Sequence, residues 1–289
     1  MSETNVNCRT AETKAQEDYG RVRSRIYALK EAYGNQIKAF SVGRSVLGRG
    51  IYALGLGEIR GATLMIGGAG GRDFVSCGLL FRFFEELMFR MKEGGQLGGI
   101  EVQKAMRGRS VVVIPCLNPD GFELALHGRH GAGQMGDVTD KMSEGDYAGW
   151  EANARGVDLR LNFDAGWEAS GAARASGYAG PRAMSEPEAR AAANLCTAFD
   201  LKQLFVFGSG PVQISYRSGD TPVRSRLMAQ VLAGACGMKV SEAPSAGGVK
   251  DWFIQEMNRP AFSIGLDSSE TVEEAYSRLI EMMVLAMLI

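Results

Sequence analysis

From Val111 to Ile114 the stretch SVVVIPCLNPDG (residues 110–121) is apolar at every position, and prolines interrupt it at 115 and 119. A strand sends successive side chains to opposite faces, so an unbroken apolar run needs cover on both sides. That demands a central strand of a layered α/β sheet, not a hairpin with one face in water.

The rest of the chain repeats the alternation. IKAFSVG, GIYALGLG and ATLMIGG are β-prone runs separated by glycine-rich turns, and FVSCGLLFRFFEELMFRM is a helix too apolar to be exposed on all sides. Ahead of them, residues 14–32 set Tyr19, Val22, Ile26 and Leu29 at helical spacing, an amphipathic entry helix stopped at 33–34. Farther on, QLFVFGSG and PAFSIGLD read as strands. The segment PVRSRLMAQVLAGACG, opened by Thr221 and Pro222, reads as a helix, as do KDWFIQEM and residues 271–288. Ser185 and Glu188 match a capping box, with Pro187 in the first turn of the helix that follows. Residues 127–184 are glycine-rich and polar without sustained period, which predicts surface loops. No interior linker appears, so one α/β domain is expected over 36–289, with helices on both faces and residues 1–35 as a helical extension packed on it.

Composition narrows the function. With 32 basic and 33 acidic residues the net charge is -1, which gives no general attraction to nucleic acid or anionic membranes. The N-terminal stretch lacks the apolar core of a secretion signal, and MMVLAMLI at 282–289 is too short to span a bilayer; it reads as a buried helix, and the chain as cytoplasmic. The 5 cysteines are widely spaced and form no C-x-x-C pair, which fits buried thiols. The only histidines are His127 and His130.

GRSVLGRGIYALGLG, GGAGGRDFVS, IPCLNPDGFE, WEANARGVDLRLNF, YAGPRAMSEPE and GGVKDWFIQEMNRPAFSIGLD occur in the order in which similar segments occur in the zinc carboxypeptidases. The chain resembles that family, and especially its bacterial γ-D-glutamyl-diaminopimelate peptidases, over about residues 40–266. The resemblance implies a carboxypeptidase-like single domain, α/β, with a mixed, mostly parallel β-sheet. In active members zinc is held by two imidazoles and a carboxylate, and a glutamate acts as general base.

Residue by residue, the chemistry is missing. The first histidine and the glutamate ligand fall on Gly70 and Asp73, the second histidine on Phe207, and the general base on Gly265. An Asn-Arg pair that holds substrate becomes Arg160 and Leu161, a substrate tyrosine aligns with Ala243, and Arg129 is the nearest candidate for a further arginine. Loss of a general base costs about 10²–10⁴ in rate, and without zinc the water nucleophile returns from a pKa near ~7 to ~15.7. Glu123, His127 and His130 have a spacing that would put them on one helix face, yet GRHGAG reads as a loop with solvent-facing histidines. No zinc or other cofactor is therefore expected.

The framework positions survive. Asp120, Asp158 and Asp251 are expected to support turns and packing beside Gly121 and Trp252, with Arg160 or Arg72 neutralising Asp158. A remnant cleft is expected at Arg72, Asp73, Asn118, Arg160, Asn162, Ser209 and Asp267, with Asp267 near the old base. Arg72, Arg160 and Arg129 could together receive an acidic group, or serve as ion pairs with Asp73 and Asp158. The leading expectation is a non-catalytic carboxypeptidase-like protein that binds a peptide, a muropeptide-like cell-wall fragment or a protein partner, with no nucleic acid or membrane involved. Alternatives are an active metallopeptidase with a rebuilt metal site, a subunit assembling through its apolar C-terminal helix, and an enzyme using Cys77, Cys116 or Ser209 as nucleophile.

Overall fold

The computed structural model describes residues 18–219 and 221–289. The chain opens with α1 (Tyr19–Tyr33), β1 (Lys38–Arg44), β2 (Gly50–Leu56), β3 (Thr63–Ile66) and α2 (Phe74–Glu93). A small ribbon, β4 (Gln96–Leu97) and β5 (Ile100–Glu101), leads through α3 (Val102–Ala105) into β6 (Val111–Ile114), α4 (Pro119–His127) and α5 (Gly136–Ser143). After a long connection come α6 (Pro187–Phe199), β7 (Gln203–Ser209), β8 (Gln213–Arg217), α7 (Ser225–Cys236) and β9 (Lys239–Ala243). The last elements are α8 (Val249–Met257), β10 (Ala261–Leu266) and α9 (Val272–Leu288).

Eight strands form one sheet in the order β1-β2-β6-β3-β7-β10-β8-β9. The pairs β6–β3, β3–β7, β7–β10 and β8–β9 are parallel; β1–β2, β2–β6 and β10–β8 are antiparallel. The run Val111–Ile114 is central and covered on both faces. Val111 and Val113 enter the core packed by α1, α2, α7 and α9, while Val112 and Ile114 enter the one packed by α6 and α8. Along β7, Phe205 and Phe207 belong to the first core and Leu204 to the second. This single-domain mixed sheet with helices on both faces is the expected architecture.

The entry helix packs Val22, Ile26 and Leu29 into the first core, and the Asp18 carboxylate caps it by accepting from the Arg21 N–H; the expected residues 14–17 lie outside the described ones. At the other end, Thr271 and Glu274 form a capping box for α9, whose Leu279, Met282, Met283 and Met287 are buried in the same core. That leaves little of the apolar C-terminal run for assembly. No helix among the described residues is long and apolar enough to cross a membrane.

Several expectations need correction. The passage 127–184 is not a set of surface loops. It contains α5, and Ala132, Trp150, Ala152 and Ala154 are fully buried with Leu124 in a third core cluster. Its few apolar residues pack because turns, not period, bring them together. The Ser185–Glu188 capping box does not form: Glu186 is the N-cap, and Glu188 turns inward to accept from the Val46 N–H and the Asn153 amide. α7 begins at Ser225 and not at Pro222. β8 and the exposed edge strand β9 carry too little apolar pattern to be seen in the sequence.

Candidate functional site

Two parallel strands end side by side, with Gly208 of β7 in register with Gly265 of β10. Both lie on the sheet face opposite Phe205, Phe207 and Ile264, where a cavity of about 320 Å³ opens against α8. Its apolar wall includes Leu117, Leu159, Phe163, Val206 and Val249. Charged groups on the wall are Asp73, Arg160, Lys250 and Asp251.

The glycine-rich turn after β3 brings Asp73 to this edge. Gly71 must be glycine, because a Cβ there would lie 2.5 Å from the Trp150 carbonyl oxygen. Asp73 is almost fully buried at the N-cap of α2, yet its side chain makes no capping hydrogen bond to that helix. Its Oδ2 accepts from the Gly70 N–H at 2.8 Å and its Oδ1 from the Ser209 N–H at 2.8 Å, so the carboxylate ties the turn to the end of β7.

Glu151, which sequence reasoning passed over, reaches into the same place. A Cβ on Gly70 would meet Glu151 Oε2 at 2.3 Å, so this carboxylate fills the space that a side chain at 70 would take. Oε2 is buried without a hydrogen bond and lies 3.5 Å from Arg160 Nη1. Burial pushes the Glu151 carboxyl above the usual carboxylate range, and the Arg160 charge opposes the rise. The segment around Glu151 has no periodicity, and only WEANARG as a motif marked it.

Arg160 is committed elsewhere. Its Nε and Nη2 donate to the two oxygens of Asp158 at 2.9 and 2.8 Å, and the Gly177 N–H donates to the same carboxylate. Asp158 is thus neutralised by Arg160 and not by Arg72, which is exposed and outside the cavity wall. Arg129 is exposed and paired with Asp137 and Asp140. The three arginines do not form a site for an acidic group.

Of the expected cleft residues, Asp73, Arg160 and Ser209 line the cavity. Asn118 and Asn162 do not, because their amides are used structurally. Asn118 accepts from the Gly121 N–H and donates to the Ala69 and Glu151 carbonyls, while Asn162 donates to the Ala179 carbonyl and accepts from the Glu186 N–H. Asp267 is exposed in the turn after β10, where it accepts from the Ser269 N–H and hydroxyl. Asp120 anchors the β1–β2 hairpin through Ser45, Leu47 and Arg49. Asp251 accepts from the Ala246 N–H beside the cavity.

The positions that the resemblance assigns to metal ligands and base are equally informative. Phe207 buries its ring in the core on the far side of the sheet, and the neighbouring Gly208 is what faces Asp73, with its would-be Cβ 3.1 Å from Oδ2. Strand alternation makes this one-residue offset a change of face. At Gly265 a Cβ would stand 1.8 Å from the Pro211 carbonyl oxygen, so backbone of the β7–β8 connection occupies that place. His127 and His130 are exposed, and Glu123 accepts from the Tyr19 N–H. Cys77 and Cys116 are buried, and no histidine lines the cavity to serve a nucleophile.

A mixed sheet with a cleft at its strand ends defines a carboxypeptidase-like α/β protein. The sequence pattern of the zinc carboxypeptidase family matches residues 22–221, and the chain belongs to that family. It is 24% identical over 260 residues to gamma-D-glutamyl-L-diamino acid endopeptidase 1 of Lysinibacillus sphaericus, covering 87% of this chain and 65% of the relative. It is 25% identical to the protein YqgT of Bacillus subtilis (strain 168), over 79% and 64% of the two chains. The chain thus spans about two thirds of the length of these relatives. Among solved structures, carboxypeptidase A from Helicoverpa armigera aligns with a TM-score of 0.73 at 16% identity, over 94% of this chain and 72% of the other. Murein-tripeptide amidase MpaA from Escherichia coli O157 aligns with 0.56 at 21%, over 86% and 89%.

The side chains here do not supply a zinc donor set. Gly70 and Gly208 offer no ligand, and both Asp73 oxygens already accept N–H groups. Among the described residues no three His, Cys, Asp or Glu side chains are arranged to hold a metal ion.

Proposed function

We propose that this chain is a non-catalytic zinc carboxypeptidase-like protein whose strand-end cavity binds a peptide-like ligand, a cell-wall peptide fragment or a peptide segment of a protein partner. One observation carries the reading: the three positions where metal and base chemistry would need side chains, Gly70, Gly208 and Gly265, are glycines, and at Gly265 the Pro211 carbonyl fills the space. A base cannot be added there without moving backbone. The cavity beside them remains, with an apolar wall and four charged residues, as a ligand site requires. The peptide character of the ligand rests on the similar proteins, among them a γ-D-glutamyl-L-diamino acid endopeptidase and a murein-tripeptide amidase. The helical extension proposed for residues 1–35 on the domain 36–289 is supported, within its described part from residue 18, by the packing of Val22, Ile26 and Leu29.

Metal analysis of the purified chain by mass spectrometry, with peptidase assays on muropeptides, tests the non-catalytic half. Sub-stoichiometric metal and no turnover are expected; near-stoichiometric zinc with turnover would overturn it. Thermal-shift screening with muropeptides tests the binding half, and a flat response to every ligand would count against the cavity as a binding site.

A further inference from the structure

The turn between β1 and β2, residues 45–49, is held down by two buried carboxylates from different helices. Asp120 of α4 accepts from the Ser45 hydroxyl, the Leu47 N–H and Arg49 Nη1. Glu188 of α6 accepts from the Val46 N–H at 3.1 Å. Beneath the turn, Asn153 Nδ2 donates to Glu188 at 3.2 Å and to Glu186 at 2.8 Å, so one amide serves two acids. Asn153 Oδ1 accepts from the Arg155 and Val157 N–H groups, which fixes that orientation of the amide. Asp120, Asn153, Glu186 and Glu188 are all buried.

The three acids are not equally neutralised. Arg49 pairs with Asp120 at 2.7 Å and lies 3.9 Å from Glu123. Arg155 stands 3.6 Å from Glu186, which also accepts from the Ser185 hydroxyl. Glu188 is met by N–H groups alone, those of its own backbone, Val46 and Asn153, and it faces the negative charge of Asp120. Among the described residues no lysine or arginine pairs with it. A buried carboxyl without a cation holds its proton well above the usual range. Here burial, joined by the charge of Asp120, pushes Glu188 up to about 7.

We propose that the β1–β2 turn is a pH-operated latch, closed over Glu188 while that carboxyl carries its proton and opening when the proton leaves to solvent. Lifting the turn breaks the Val46 bond, admits water to the bare carboxylate and withdraws Val46 and Leu47 from the third core cluster. The bonds to Asp120 set the cost of opening, and ionisation of Glu188 offsets part of it. Because the closed-state pKa is raised above 4.5, the closed turn has its full stability below about 4.5 and loses it as the pH rises through 7.

Amide hydrogen exchange of the whole chain between pH 5 and 8, corrected for intrinsic rates, tests the latch. Protection of Val46 and Leu47 is expected to lie below that of Val112 and Val113 in the central strand, and to fall roughly fiftyfold across that range. In Glu188→Gln, which keeps the shape without the charge, the fall disappears. Ser45→Ala loosens the hold of Asp120 without touching Glu188, so it lowers protection at every pH and keeps the slope; a thermal melt checks that each variant is folded. A flat profile in the parent overturns the proposal, as does a slope that survives in Glu188→Gln or vanishes in Ser45→Ala. Protection of the turn equal to that of Val112 and Val113 overturns it too, because the turn then opens only with the whole domain.

Discussion

Gly265→Ala is the sharpest probe of the site. The added Cβ would stand 1.8 Å from the Pro211 carbonyl oxygen and 2.8 Å from its carbonyl carbon, far inside ordinary contact. These are backbone atoms, so relief requires moving the β7–β8 connection or β10 itself, and β10 is paired on both sides with β7 and β8. Overpacking of this kind costs about 1–3 kcal/mol, occasionally more, and the near-superposition argues for the top of that range. Replacing glycine also stiffens the unfolded chain, which returns about 0.4–1 kcal/mol. The net is a loss of about 2 kcal/mol, equivalent to a fall of roughly 4–8 °C in Tm for a domain of this class. Gly210→Ala is the control in the same connection, because its Cβ meets nothing within 4 Å. Differential scanning calorimetry of both variants is the assay, and Gly210→Ala is expected within about 0.5 kcal/mol of the parent. If Gly265→Ala melts with Gly210→Ala, the carbonyl does not fill that position, a glutamate could be accommodated there, and the main support for a non-catalytic reading falls.

Other perturbations follow from the same geometry. Gly70→His with Gly208→His and Glu151→Ala removes the obstructing carboxylate and places two imidazoles beside Asp73, so cobalt(II) titration followed by absorption should show tetrahedral binding that the parent lacks; no spectral change would mean the glycines do not face one point. Arg160→Met strips the partner from Asp158, whose side chain is 3% exposed, and a stability loss of about 2 kcal/mol is expected by urea unfolding, below the ~3–5 kcal/mol of a fully buried pair because the arginine is partly solvated. Burial, aided by the charge of Asp120, pushes the Glu188 carboxyl up to about 7 from 4.5. With the folded pKa above the unfolded one, its stabilising contribution is complete below about 4.5 and is lost as the pH rises through 7, by at most roughly 3 kcal/mol. Glu188→Gln should therefore flatten the decline in unfolding free energy between pH 5 and 8, and a parallel decline in the two proteins would contradict the burial effect.

The central sheet could be read from sequence because burial on both faces leaves an unbroken apolar signature, as at Val111–Ile114, and because glycine-rich turns mark the strand ends. The edge could not. β9, Lys239–Ala243, exposes Lys239, Val240 and Glu242, buries none of its residues fully and is held by β8 on one side alone. The region around Trp150 escaped for a different reason: its apolar residues are fixed by turns and by contacts with Leu124 and Ala132, which leave no period along the chain. Within the site, residue type indicated chemistry but not direction. Asn118 and Asn162 have the right polarity for a ligand and spend it on backbone groups, whereas Phe207 and Gly208 differ by one position and face opposite sides of the sheet.

Direction also separates an emptied site from a refilled one. Substitution of ligands by glycine alone would leave room for solvent or for reversion by a single change. Here Glu151 Oε2 stands where a side chain at 70 would go, and the Pro211 carbonyl stands where one at 265 would go. The first obstacle is the end of a flexible side chain and can swing away; the second is backbone and cannot. On the proposed non-catalytic reading, metal binding and base catalysis are therefore unequally recoverable. Ligands can be rebuilt by changing side chains, but a base at 265 requires rebuilding the path of the chain between β7 and β8.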